Sequence, residues 1–205
     1  MKTISLEIKG ISALIINRFK EQDEVPTKLS KGKKDYGSPR QQAEQTAYHD
    51  EDDKKLWIPT SWLKGSIQTV ASDYKLPSTR KSAKSVSGGA IFPLEEKVYF
   101  LEEYTLSDIE VDSRPCVIQR ARIMRHRARL ETWSVAFNIQ IEDEILNDEM
   151  VHQMLTDAGR RAGMGDYRPS KGGPFGRFLV SKWNVKSDDS FEEVTPPVRR
   201  IKKVS

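Results

Sequence analysis

Six arginines and no carboxylate lie between Asp112 and Glu131. In the run QRARIMRHRARLE, Arg125, Arg127 and Arg129 share one strand face by their period of two, and Arg120 and Arg122 share the opposite parity. A bulge near Ile123 and Met124 would gather all five on one face. Guanidinium groups crowded in this way repel unless anions answer them, and their planar fork matches phosphate. One reading is a groove that tracks a nucleic-acid backbone. The competing reading is a solvated face paired with Glu131, Glu142 and Glu144.

A second cationic stretch, RRAGMGDYRPSKGGPFGRFLV at 160–180, holds five glycines, two prolines and five cations. It is not a GxxxxGK[ST] loop, because Lys171 is followed by Gly172. It is not a dinucleotide fingerprint either, since it follows a helical pattern and enters an apolar run. What remains is a ribbon of bare backbone, with Arg160, Arg161, Arg168, Lys171 and Arg177 around it, able to donate N–H groups to phosphates. The alternative is a helix C-cap at Gly163 and a long glycine-proline turn. A third element, IPTSWLKGSIQTVA, sets Lys64 and Gly65 in the opening turns of a helix capped by Ser61. Such an N-terminus attracts anions, or it is an ordinary strand-to-helix connection.

Catalytic signals are weak. His49 sits in an acidic turn, His152 is expected to face solvent on a helix, and His126 points away from Arg125 and Arg127; none has a recognisable partner. Cys116 is the sole cysteine, which excludes an intrachain disulfide and a cysteine zinc cluster. No catalytic residue, metal or cofactor is therefore assigned. Tyr36, Tyr48, Trp62 and Tyr167 are candidates for stacking bases, with Trp62 read rather as core.

The elements that must position these residues follow from periodicity. Ile4, Leu6 and Ile8 alternate with polar residues as a half-buried strand, followed by the apolar run ALIINRF. Residues about 20–46 form a polar insertion that closes with a short helix at PRQQAEQTA, and LWIP is a brief strand. Trp62, Leu63, Ile67, Val70, Ala71 and Tyr74 recur at helical spacing. A second polar loop spans 75–89, and strands are expected at 97–101, at 103–111, through CVIQRARIMRHRAR and through TWSVAFNIQIE. Asn147 caps a helix through Gly159, and RFLVSKWNV is the last strand. The order predicts an α+β domain over 1–187, a ferredoxin-like or RRM-like antiparallel sheet with helices on one face. Residues 188–205 read as a flexible charged tail.

The net charge is only +4 over 205 residues, so the clustering of arginine matters more than the sum. The N-terminus has no signal-peptide core and no apolar run is long enough to span a bilayer, so a soluble, cytoplasmic protein is expected.

IPTSWLKGSI resembles the IPGSSLKGxxR element of the RAMP superfamily, the RRM-like proteins of CRISPR systems. GMGDYRPSKGGPFGRFLV resembles that superfamily's glycine-rich loop and closing strand, and SALIINRF stands where such proteins leave their first strand. The order and spacing agree over most of residues 1–185. The chain also resembles small RAMP-like proteins of mobile elements. Thr60 and Trp62 depart from the expected glycine and serine, and Pro169 and Pro174 interrupt the loop. The resemblance implies an RRM-like domain that binds RNA and stacks along a guide as a homo-oligomer or filament, with other RAMP-type subunits as partners and no membrane. It places Lys64 and Gly65 at an RNA-facing turn. It makes Gly163, Gly165, Gly173 and Gly176 the glycine-rich loop, with Arg168 and Arg177 near phosphate. Some members cut RNA with an aspartate after the first strand, where Asp23 and Asp35 lie, and others with a histidine, here His49 or His126. Single-stranded RNA is expected ahead of DNA. The alternatives are a single-strand DNA-binding or recombination accessory of a mobile element, and a metal-independent guide-processing endoribonuclease.

Overall fold

The computed structural model describes residues 1–19, 37–76, 79–118 and 121–187. Asp23, Asp35, Tyr36, Arg120 and the tail from 188 lie outside the described residues.

The frame is a four-stranded antiparallel sheet of β1 (Lys2–Gly10), β4 (Ile91–Pro93), β8 (Ser134–Ile141) and β9 (Phe178–Ser187). Its order is β4-β8-β1-β9. Two helices cross one face, α2 (Ser61–Val70) between β1 and β4 and α4 (Asp148–Asp157) between β8 and β9. This is two βαβ halves with each half's strands separated by one from the other, the ferredoxin-like order. The inner face follows the alternation: Ile4, Leu6 and Ile8 of β1 and Val135, Phe137, Ile139 and Ile141 of β8 are all buried. Full burial of such side chains contributes about 1.5–3 kcal/mol each, so this face fixes the register.

The two central strands do not stop at the sheet. The Gly10 N–H donates to the Trp133 carbonyl (2.8 Å) and the indole N–H of Trp133 to the Ser12 carbonyl (2.9 Å), which makes a corner. Beyond it the chain continues as β2 (Leu14–Ile16), paired with the root of β7 (Ala121–Leu130). On its other side β7 pairs with β6 (Glu110–Ile118) from Glu110 opposite Arg129 to Ile118 opposite Ala121. Because β2 reaches only residues 128–130, the rest of the β6–β7 hairpin projects as a two-stranded arm. The run read as one strand through CVIQRARIMRHRAR is thus divided between two. Pro115 is accommodated because β6 is an edge strand.

Three other expectations change. Residues 75–89 are not all loop, since α3 (Lys84–Ala90) forms there with Ser87 and Ala90 buried. The strand expected at 103–111 begins at Glu110, after a 3₁₀ turn at Leu106–Asp108 held by Thr105 and Asp108. Thr60 rather than Ser61 stands at the N-cap of α2, and its hydroxyl donates to the Glu95 carbonyl (2.6 Å) instead of capping. Asn147 does cap α4, accepting from the Met150 N–H (2.8 Å). One π-helical turn (Ala158–Ala162) follows α4. A short helix α1 (Pro39–Glu44) packs beside β6 and β7, and β3 (Trp57–Pro59) pairs with β5 (Lys97–Tyr99).

Candidate nucleic-acid interface

The arm keeps an unbroken register, so the expected bulge near Ile123 and Met124 is not there. Parity therefore divides the arginines. Arg125, Arg127 and Arg129 share a face with their cross-strand partners Arg114, Asp112 and Glu110. Arg122 lies on the opposite face with Val117, Met124 and His126, and it is exposed.

The arginine face carries the glycine-rich loop. Arg127 pairs with Asp166 (2.7 Å), which also accepts from the Asn17 amide (3.2 Å). The Arg127 side chain is 17% exposed and that of Asp166 29%, so this charge-assisted contact is worth about 1.5–3 kcal/mol. Arg114 donates to both Asp112 oxygens (3.0 and 2.8 Å) while its guanidinium lies over the rings of Phe175 (4.5 Å) and Tyr167 (5.4 Å). Arg129 lies near Phe175 and pairs with Glu131 and Glu110. Arg114, Arg127 and Arg129 are thus each answered by the protein's own carboxylates.

The loop's bare backbone also faces inward. A β-carbon at Gly173 would overlap the Tyr167 carbonyl, and one at Gly176 would overlap the Met164 carbonyl. Gly163 and Gly165 are buried in the same loop, and the Arg168 guanidinium donates to the Gly165 carbonyl (2.7 Å). These glycines fold the loop upon itself and upon the arm.

Concavity appears at the edge of β7 where β2 ends. A cleft of about 330 Å³ is lined by Arg18, Arg125 and Arg127 together with Asn17, Gln42 and His126. Among the described residues its lining holds no carboxylate. Three segments meet there through Thr46, which is buried. The Thr46 carbonyl accepts from the Arg18 N–H (2.8 Å), and its hydroxyl donates to the Ala43 carbonyl (2.7 Å) and accepts from the Ala128 N–H (2.8 Å). The His126 ring nitrogen Nδ1 lies 2.7 Å from the Ser113 hydroxyl. Arg18 also lies close to Tyr48, whose phenol is pushed up by burial and held back by that guanidinium.

The other sequence candidates are dispersed. Arg161 ties α4 to the end of α2 through Asp157 (3.1 Å) and Asp73 (2.8 Å), and Arg160 is exposed beside it. Lys64 stands 5.7 Å over the Phe92 ring at the β4 edge, and Gly65 is exposed with no atom near its α-carbon's open side. Lys171 and Arg177 are exposed on the loop. His49 donates from Nδ1 to the Asp50 carbonyl (2.9 Å), and His152, expected in solvent, packs 4.8 Å from Trp183. Asn17, Arg18 and Gln42 were missed, although the end of the ALIINRF run was a place to look. Among the described residues no cluster of His, Cys, Asp or Glu could hold a metal ion, and no helix is long and apolar enough to cross a membrane.

The solved structure of Cmr6 from Pyrococcus furiosus is similar with a TM-score of 0.45 at 12% identity, over 88% of this chain and 99% of that one. No protein-family model and no curated protein matches the chain.

Proposed function

We propose that the protein binds single-stranded nucleic acid, RNA ahead of DNA, with the backbone lying in the cleft between Arg18, Arg125 and Arg127. The observation that carries this reading is a concave site lined by three arginines together with amides, with Asp166, the partner of Arg127, outside its lining. Guanidinium pairs with phosphate by a planar fork. Taken with the resemblance of its IPTSWLKGSI and glycine-rich stretches, the protein is a RAMP-like backbone subunit that coats a guide RNA in a CRISPR-type ribonucleoprotein. It works there as a repeated copy beside other RAMP-type subunits. The same surface suits a single-strand DNA-binding accessory.

A second reading, a metal-independent endoribonuclease, gains one observation: His126 lines the cleft and is oriented by Ser113.

The test is the nucleic acid that accompanies the purified protein. RNA of uniform length supports the guide-coating reading, and DNA moves it to the accessory. An absorbance ratio of bare protein, together with no binding of added oligonucleotides, contradicts both. Cleavage of labelled RNA that disappears in His126→Ala would establish the enzyme.

A further inference from the structure

Next to the arginine cleft lies a second hollow of about 490 Å³, lined by Arg18, Phe19, Tyr48, His49, Glu51 and Trp57. Arg18 lines both, so the two adjoin at that residue. Their linings differ in kind. The first has arginines and amides, whereas the second has three aromatic rings.

Two of those rings form a fixed wall. Tyr48 and Trp57 lie 4.8 Å apart at 43°, Tyr48 rests edge-on against Trp62 at 5.8 Å, and Lys97 sits 4.8 Å over Trp57. Phe19 is the exception, with 91% of its surface exposed. A phenyl ring left in water gains by being covered, and its place at the mouth of a hollow says where the cover would come from. The polar lining suits the edge of a heteroaromatic ring. His49 gives its Nδ1–H to the Asp50 carbonyl, which in the neutral ring makes Nε2 an acceptor. Glu51 adds a second acceptor and Arg18 brings donors.

We infer that this hollow holds a nucleobase of the strand whose phosphates lie in the cleft, stacked on Phe19. The inference rests on the nucleic-acid reading above. In a single strand each phosphate carries a base one sugar away, so a phosphate on Arg18 brings a base to one side or the other. On one side stand Arg125 and Arg127, and on the other is the aromatic hollow. Every base has a π-face, so the site anchors the strand without needing a particular sequence.

The experiment compares two single strands of equal length by fluorescence anisotropy, an RNA and an abasic ribose-phosphate chain, against wild type, Phe19→Ala and Arg125→Glu. Wild type is expected to bind the RNA about tenfold more tightly than the abasic strand. Phe19→Ala is expected to bind both alike, at the level wild type shows for the abasic strand. Arg125→Glu is expected to weaken both strands together. If Phe19→Ala keeps the full preference for RNA, the base site is wrong while the phosphate cleft stands. If wild type binds neither strand, the nucleic-acid reading itself fails.

Discussion

The open face of the four-stranded sheet and the arm that grows from the same two strands are chemically opposite. On the open face, Thr3, Ser5 and Glu7 of β1 stand beside Gln140, Asn138 and Ala136 of β8. Those central strands place no aromatic ring on that side, and Glu7 pairs with Lys182 (2.6 Å). An RRM reads RNA by stacking bases on aromatics of its central strands, whereas here the exposed ring on that face, Phe92, stands on the edge strand β4 opposite Gln140. Past the corner at Gly10 and Trp133, the same pair of chains carries arginines over a cleft with aromatics beside it. The proposed binding surface therefore lies on the extension of the central strands and not on the sheet that defines the fold class.

Within the arm a second contrast holds. Arg127, Arg129 and Arg114 face the glycine loop and its Asp166, Tyr167 and Phe175, while the edge of β7, with Arg125 and again Arg127, borders the cleft. The loop is a brace for the arm. The largest effect on stability is expected from Gly176→Ala, where a β-carbon meets the Met164 carbonyl and the residue holds φ 66°. Thermal or denaturant unfolding should show a loss of about 3 kcal/mol or more. A neutral outcome would mean that the loop does not depend on that contact.

Charge reversal in the cleft comes next. Arg18→Glu with Arg125→Glu should weaken single-strand binding on the order of a hundredfold while leaving the melting temperature close to wild type. Asp166→Asn separates brace from site: it should cost about 1.5–3 kcal/mol of stability and leave affinity unreduced, because Arg127 keeps its charge. Weaker binding in that variant would make the brace part of the site.

Smaller effects are expected away from the arm. The Tyr74 hydroxyl donates to Asp157 (2.8 Å), and burial followed by that carboxylate pushes its phenol up from 10.0 to about 12. A raised folded-state pKa favours the neutral phenol in the fold. Its contribution is complete below pH 10.0 and is lost as pH rises through about 12. The melting-temperature gap between wild type and Tyr74→Phe should close over that window, and a gap that widens would reverse the sign. On the open face, Lys9→Glu with Lys186→Glu should change affinity by less than about threefold at physiological salt. A larger loss would return the site to the sheet.

How much of this was legible in the sequence depends on the distance over which each feature is encoded. The alternation in β1 and β8 and the Asn147 cap are local signals, and they are where periodicity placed them. The α3 helix was hidden because Gly88 and Gly89 argue against a helix that packing of Ser87 and Ala90 sustains. The β6–β7 hairpin was hidden because the sequence between Ile118 and Ala121 holds no glycine, proline, asparagine or aspartate to signal a turn, and because an edge position excuses Pro115. The glycine loop was found, but sequence cannot tell whether bare backbone admits a foreign strand or the chain's own carbonyls. Arg18, Gln42 and Arg125 come from three separate segments, which the hydrogen bonds of Thr46 help to bring together.

The central claim is that phosphates are held by the cleft, and salt dependence tests it most directly. Three arginines neutralising three phosphates of a single strand predict a slope of about −2 in log affinity against log salt concentration. In Arg18→Glu with Arg125→Glu the slope should fall towards zero. A wild-type slope near zero, or a slope of about −2 that survives the double charge reversal, would contradict the account.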